Sequence, residues 1–465
     1  MPIRRSHILI LAVWCGVLLL YGINAGPLYR TESLRAIIGR ECLHGHWLFP
    51  VLYGEPFLTK PPGHYAAIGL CSLPFGDVTA VSARLPSVLA ASAAVFLFYS
   101  LFRPALGERM ALIAALLLPT SVLWLDKVPS AEIDMTLVGW VTAALVLFDR
   151  ADQSSGLRSV GLLVLALLCV AFGTLTKWPA PAFFYLTVVP LLVWRGHLRL
   201  LFGWRHLVAV SLAVAGCAVW VFAVSQQVGW ETLLNTVRAE ATYRFAPKLA
   251  AKGYPWSELV TYPLIVLGAH LPLSAFAVLT LRPGFSKQWD DRGQRLLQLL
   301  HCWTWPNLLF WTLVPNHNVR YVLPLSPGLM GLGVMGLVGT FRSGPGFNRC
   351  VIALLALGLA IKIVFVQYVV PQRAARRNPE PIAAHLRELV PPDQPLYLFR
   401  LKDEGVLFYY ARSAIRLRHP SELPPGAFAV LIAREWEDRV AFGHLELIYW
   451  IYDQQGDPLI LVRAP

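Results

Sequence analysis

Charge is what this chain has least of. Asp, Glu, Lys and Arg make up 14% of its 465 residues, against 56% hydrophobic residues, where a soluble domain carries about 25% charged residues. That shortage, with a mean hydropathy of +0.55, excludes an ordinary soluble enzyme and predicts a polytopic membrane protein. Acidic residues are scarcer than basic ones, 27 against 40, for a net charge of +13. The basic residues fall in short loops between apolar runs, so the imbalance reads as membrane orientation, with no nucleic acid expected. The seven cysteines lack any spacing that suggests a metal site or a disulfide framework. Cys15, Cys169, Cys217, Cys302 and Cys350 lie within or at the ends of apolar runs, where a thiol packs as a small hydrophobe; Cys42 and Cys71 are the pair left near the outer face. No small-residue cleavage site closes the first apolar run, at about 7–25, so it reads as an uncleaved span.

What the chain does have is apolar runs near the roughly 20 residues that a bilayer requires. After the first, they lie at about 84–102, 109–126, 133–149, 158–176, 179–194, 206–225, 257–281, 296–314, 320–340 and 350–370, which predicts about eleven transmembrane helices. Arginine and lysine gather in alternate short loops: Arg103 and Arg109, Arg150 and Arg158, Arg195 to Arg205, Arg282 to Arg295, Arg342 and Arg349. By the positive-inside rule this side and the N-terminus are cytoplasmic. Residues 26–83, 127–132, 226–256, 315–319 and the tail after Val370 then face outward from the inner (plasma) membrane, although Arg373, Arg376 and Arg377 pull the other way. Residues 1–370 are expected to form an all-α transmembrane domain and 371–465 a small extracytoplasmic α/β domain. In the tail, Glu380 to Val390 has helical periodicity, PLYLFRL, FAVLIA, LELIYWIY and PLILVRA read as strands, and DQQGD reads as the turn between the last two. Nothing in the tail resembles a nucleophile, metal or phosphate motif, which favours a structural or acceptor-handling role.

The longest polar interruption before the tail runs from Arg30 to Tyr65. Within it, Leu34, Ile37, Ile38 and Cys42 recur at helical spacing with Arg35, Arg40 and Glu41 between them, the pattern of a helix lying along the membrane surface. Tyr65 to Phe75 is too short to span and reads as a second interfacial helix. Between them the prolines of GEPFLTKPPGHY fix an extended turn with Lys60 at the rim, where a lysine also snorkels to lipid phosphates without further duty. Glu132 and Asp134, in PSAEIDM, start a span, where the helix dipole stabilises an anion by about 0.3–1 kcal/mol, so plain capping accounts for either alone. Lys177, in LTKWP, ends a span, the matching place for a cation. Arg244 stands in TYRF, and Arg320 and Tyr321 in NHNVRYVLP. Five outer segments that each present charge at one membrane level point to a functional site, because charges there are costly.

Taken in order, TESLRAIIGRE, GEPFLTKPPGHY, RLPSVLA, EIDMTL, TLTKWP, YRF and RYVLPLSP resemble the motifs of bacterial GT-C glycosyltransferases of the protein O-mannosyltransferase (family 39) and aminoarabinose transferase type, over about residues 7–340. The KPP segment is the most specific of them, and the order of all seven is stronger than any one. The resemblance implies an inverting glycosyltransferase that takes a sugar from a polyprenyl phosphate on the extracytoplasmic face and passes it to a lipid, glycan or protein. It implies that Lys60, Arg244 and Tyr321 bind the lipid phosphate, and it matches Asp134 to the family's acidic residue at the start of a span. One departure stands out: where the family has Asp-Glu at the start of the first outer helix, this chain has Thr31-Glu32. Either Glu32 or Asp134 replaces the missing aspartate as base, or the acceptor needs less activation, or the protein is inactive.

The chemistry asks for this inventory. Displacing a lipid phosphate from an anomeric carbon needs a base for the acceptor's proton and cations for the departing phosphate, and no general acid. One carboxylate with two or three cations is enough; Lys177, Arg320 and Glu132 are further candidates for the same site. No cofactor is implied, and the ligand spacings leave a divalent metal open. The competing reading is a transporter of polyprenyl-linked lipids or glycans without chemistry, for which repeated halves and midplane charges are expected. No internal repeat is visible, and Lys362 is the one charge near a midplane.

Overall fold

A computed structural model describes residues 4–245, 254–316, 318–341, 344–401, 403–452 and 456–465, without the side chains of Arg244 and Phe245. The chain divides into two compact units. Unit 1 comprises Met1–Gly22, Leu58–His64 and Pro86–Val364; unit 2 comprises Ile23–Phe57, Tyr65–Leu85 and Phe365–Pro465.

Among the described residues, five helical stretches are long and apolar enough to cross a membrane: Ala80–Thr120, Gly156–Thr176, Trp204–Val228, Val319–Phe341 and Pro345–Leu389. The first is broken at Gly107, whose φ of 77° and ψ of 172° only glycine adopts cheaply, so the runs at 84–102 and 109–126 are helices in series. A bent pair, Glu258–Ala269 and Leu273–Leu279, turns through 117°. Pro272 stands at that bend, where its ring and missing N–H cannot continue the first helix. Shorter apolar helices run over Arg5–Leu20 and Ala180–Arg195.

The core of unit 1 is the helix Ser326–Phe341, buried almost throughout. Its sequence, SPGLMGLGVMGLVG, places glycines where neighbouring helices press closest. A Cβ on Gly333 would stand 2.5 Å from the Leu273 carbonyl oxygen, and one on Gly336 would overlap the Phe276 carbonyl. On another face, Gly328 and Gly331 accept Trp303 and Leu300. Lipid is as apolar as leucine, so helices associate there through such close packing of small residues. Lys362, in the helix Pro345–Val364, is fully buried, and its ammonium has no hydrogen-bond partner among the described residues; it does not snorkel.

Unit 2 joins parts of residues 26–85 to the tail. Its helix Thr31–Leu43 crosses the part of helix Gly63–Ser72 that follows His64, where Gly39 meets Ile68 and Gly69 meets Cys42. Arg40 of the first helix pairs with Asp77 at 2.7 Å, donates to the Phe408 carbonyl and lies over the Phe408 ring. Strands β1 (Val51–Leu52) and β2 (Glu55–Pro56) form a small hairpin. The tail contributes a five-stranded sheet: β3 (Leu396–Leu398), β4 (Ala414–Arg416), β5 (Phe428–Ile432), β6 (Glu446–Tyr452) and β7 (Pro458–Arg463), in the order β4-β3-β5-β7-β6. β3 runs parallel to β4 and β5, while β7 is antiparallel to β5 and β6. Helix Glu380–Leu389 and the four expected strands are all present, and β4 is an addition. Residues Asp453–Gln455 of the DQQGD turn lie outside the described residues.

Candidate functional site

The KPP strap is pinned to unit 1 by a glycine and a histidine. A Cβ at Gly63 would stand 2.8 Å from the Leu175 carbonyl oxygen, so only glycine lets the strap lie against the end of helix Gly156–Thr176. His64, fully buried, bonds the Thr136 hydroxyl at 2.9 Å. Lys60 donates to its neighbour's carbonyl at Thr59 and to Glu240 Oε2 at 2.5 Å.

Two further ion pairs occupy the same unit. Asp134 sits in the first turn of helix Ile133–Asp152, and Lys177 follows directly after helix Gly156–Thr176 in an extended conformation. Their charged groups meet at 2.5 Å, with the residues 2% and 4% exposed. Taking the two charges out of water is costly, and the contact offsets that cost only while both partners remain. Arg320 pairs with Glu132 at 3.3 Å, and its position is set by Asn318, which caps the short helix Val319–Leu325. Tyr321 lies between these pairs: its ring centroid is 4.8 Å from the Lys177 ammonium and 5.7 Å from the Arg320 guanidinium.

A cavity of about 300 Å³ brings Lys60, Lys177, Glu240 and Tyr321 together with an apolar wall that includes Val237, Trp178, Phe310 and Trp311. The wall is stiffened by stacking of Trp311 on Phe183 and by contact of Trp178 with Trp220. Ammonium groups, a phenol and aromatic carbon in one cavity suit an anion attached to a hydrocarbon.

Of the residues singled out from the sequence, Lys60, Glu132, Asp134, Lys177, Arg320 and Tyr321 thus belong to unit 1. The Arg244 side chain lies outside the described residues, although Asn316 bonds the Tyr243 carbonyl just before it at 2.9 Å. Glu32 belongs to unit 2, in the first turn of helix Thr31–Leu43, and pairs with Arg84 at 3.2 Å. Arg84 is 4% exposed and also donates to the carbonyls of Ile23, Ala25, Gly26 and Pro27. Sequence reading missed Glu240. A signal existed, since it stands one helical turn before Arg244 in the helix Trp230–Phe245. Among the described residues no group of three or more His, Cys, Asp and Glu is arranged to hold a metal ion.

Residues 59–223 match the family model described as dolichyl-phosphate-mannose-protein mannosyltransferase. The solved structure of ArnT from Cupriavidus metallidurans bound to undecaprenyl phosphate superposes on 99% of this chain and 98% of that one, with a TM-score of 0.80 at 17% identity. Together these matches support a likeness to the GT-C superfamily. The undecaprenyl phosphate-alpha-4-amino-4-deoxy-L-arabinose arabinosyl transferase of Pseudomonas savastanoi pv. phaseolicola is 27% identical over 349 residues, 72% of this chain and 62% of that relative. The enzyme of the same description from Erwinia tasmaniensis is 29% identical over 331 residues, 68% of this chain and 57% of that relative. The match to this chain therefore spans about three fifths of the length of these curated relatives. The GT-C fold likeness extends to the archaeal oligosaccharyltransferase AglB from Archaeoglobus fulgidus, with a TM-score of 0.56 at 11% identity over 98% of this chain and 74% of that one.

Proposed function

We propose that this chain is an inverting glycosyltransferase of the GT-C type that moves a sugar from a polyprenyl-phosphate donor to a lipid, glycan or protein acceptor on the extracytoplasmic face of the inner membrane. The observation that carries the reading is the cavity in unit 1, where the Lys60 and Lys177 ammonium groups and the Tyr321 phenol share space with Trp178, Phe310 and Trp311. A phosphate on a long hydrocarbon uses both halves of that lining. Its oxygens accept charge-assisted hydrogen bonds, and the first isoprene units cover the aromatic wall.

In the reaction the acceptor's oxygen attacks the anomeric carbon from the face opposite the phosphate. The bond between that carbon and the phosphate oxygen breaks, and polyprenyl phosphate leaves with the electron pair. The acceptor's proton passes to a carboxylate. Lys60, Lys177, Tyr321 and Arg244 stabilise charge building on the phosphate, which strengthens their bonds in the transition state. Asp134 is the better-placed base of the two candidates, because it belongs to unit 1 and contacts a cation of the cavity, whereas Glu32 belongs to unit 2; Glu132 and Arg320 serve as support. The proposal includes about eleven spans in residues 1–370, a cytoplasmic N-terminus and an extracytoplasmic domain over 371–465. Reporter fusions after Arg377 and within 282–295 should report opposite sides of the membrane.

The donor to test first is undecaprenyl phosphate carrying 4-amino-4-deoxy-L-arabinose, the one that the relatives' descriptions name. Purified protein in nanodiscs, given that donor and an envelope lipid extract, should release undecaprenyl phosphate and place an equal amount of sugar on an acceptor. A protein that binds the donor and never consumes it, whatever extract or lipid-linked sugar is supplied, overturns the assignment.

A further inference from the structure

Glu240 has no place in the reaction as written, yet it holds the lysine that the phosphate needs. Its Oε2 lies 2.5 Å from Lys60 Nζ, inside the same cavity as Lys177 and Tyr321. The other two cations of the site are tied to Asp134 and Glu132, which start a buried helix. Glu240 is carried differently. Its helix, Trp230–Phe245, is mostly exposed along its length, and the Lys60 and Glu240 side chains are 17% and 26% exposed. Of the three carboxylates, this is the one whose support is loose enough to move.

We propose that Glu240 and the lipid phosphate compete for Lys60, so that Glu240 acts as an internal stand-in for the phosphate and drives release of the polyprenyl phosphate product. This rests on the function proposed above. The argument is one of charge. A polyprenyl-phosphate sugar is a phosphodiester with a single negative charge. The product is a monoester, which carries about −1.5 to −2 at neutral pH. A site built only of cations therefore binds its product more tightly than its donor, and product release becomes slow. A carboxylate that reclaims Lys60 weakens donor and product alike but restores turnover. Glu240 is thus a positioning residue acting through Lys60, with no contact to the reacting atoms required.

Glu240→Gln should tighten binding of undecaprenyl phosphate by about fivefold, the upper range for a partly exposed pair. KM for the donor and kcat should fall together, and product inhibition should strengthen. Arg238→Gln, an exposed change on the same helix, serves as control and should alter neither. Binding is read with undecaprenyl phosphate in nanodiscs, turnover with the sugar-linked donor, and folding by thermal inactivation of each variant. Unchanged or weaker binding by Glu240→Gln overturns the proposal, since it would mean that Glu240 merely steadies Lys60. If Glu240→Gln is poorly folded, Glu240→Asp decides: its shorter side chain should shift binding in the same direction, and no shift is again a refutation. A wild-type protein that does not bind undecaprenyl phosphate, or any other polyprenyl phosphate, overturns the functional reading itself. Binding by wild type with no difference in the variants overturns only the role of Glu240.

Discussion

Asp134→Asn separates holding the site together from doing its chemistry. The Asp134 carboxylate and the Lys177 ammonium meet at 2.5 Å with almost no exposure to solvent. Removing one partner of a buried pair costs about 3–5 kcal/mol, because a buried charge is left uncompensated. The asparagine oxygen still accepts a hydrogen bond from Lys177, returning about 1 kcal/mol, so the net loss should be about 2–4 kcal/mol. Asp134→Asn with Lys177→Met removes both charges at similar volume and should recover most of that stability. Thermal inactivation of wild type, single and double variants reads these differences, and transfer is then measured below the lowest midpoint. If Asp134 is the base, the single variant still binds undecaprenyl phosphate but transfers sugar about 10²–10⁴-fold more slowly. A double variant as unstable as the single one would refute the energetic argument. Full transfer by the single variant would remove Asp134 as base and direct the same experiment to Glu32→Gln.

Other outcomes follow from the same geometry. If Lys60 holds the lipid phosphate as proposed, Lys60→Ala removes a charge-assisted bond worth about 1.5–3 kcal/mol, so donor affinity, measured by equilibrium binding, should fall about tenfold or more. Gly336→Ala forces a methyl into the Phe276 carbonyl and should cost about 1–3 kcal/mol by overpacking, seen as faster thermal inactivation; Gly216→Ala, with open space around it, should not. Burial, with Glu41 nearby, pushes the Cys42 thiol up to about 12. At pH 8 only about one part in 10⁴ is thiolate, the reactive form, so iodoacetamide should label Cys42 after denaturation and not before; mass spectrometry of the modified peptide checks this.

Much of the fold was legible because periodicity records burial. The strands over Phe428–Ile432, Glu446–Tyr452 and Pro458–Arg463 announce themselves by β-branched and aromatic runs, and Glu380–Leu389 by its helical spacing. β4 did not, since Ala414–Arg416 is three residues long, only half-buried and flanked by arginines. Residues 26–83 were legible as elements but not as an assembly. Helices Thr31–Leu43 and Gly63–Ser72 stand where two were expected, yet Leu58–His64 groups with unit 1 while the residues on either side group with unit 2. Composition carries no mark of that division, and the close approach of Gly63 to the Leu175 carbonyl within unit 1 is a contact with no pattern of its own.

The candidate site was legible where a charge stands next to a helix end and illegible where its partner is backbone or a distant helix. Asp134 and Lys177 could be picked out singly, each as a plausible cap, but 43 residues separate them and nothing in either segment names the other. Arg84 shows the opposite case. It lies in a motif of the family, and the four carbonyls that it binds are invisible in sequence because every residue has one. That matters for Thr31, which stands where the family carries aspartate. The neighbouring Glu32 is not a freely placed replacement, since both of its oxygens face the Arg84 guanidinium. Glu32 belongs to unit 2, whereas Asp134 contacts Lys177, a cation of the unit 1 cavity, so Asp134 is the carboxylate to test first.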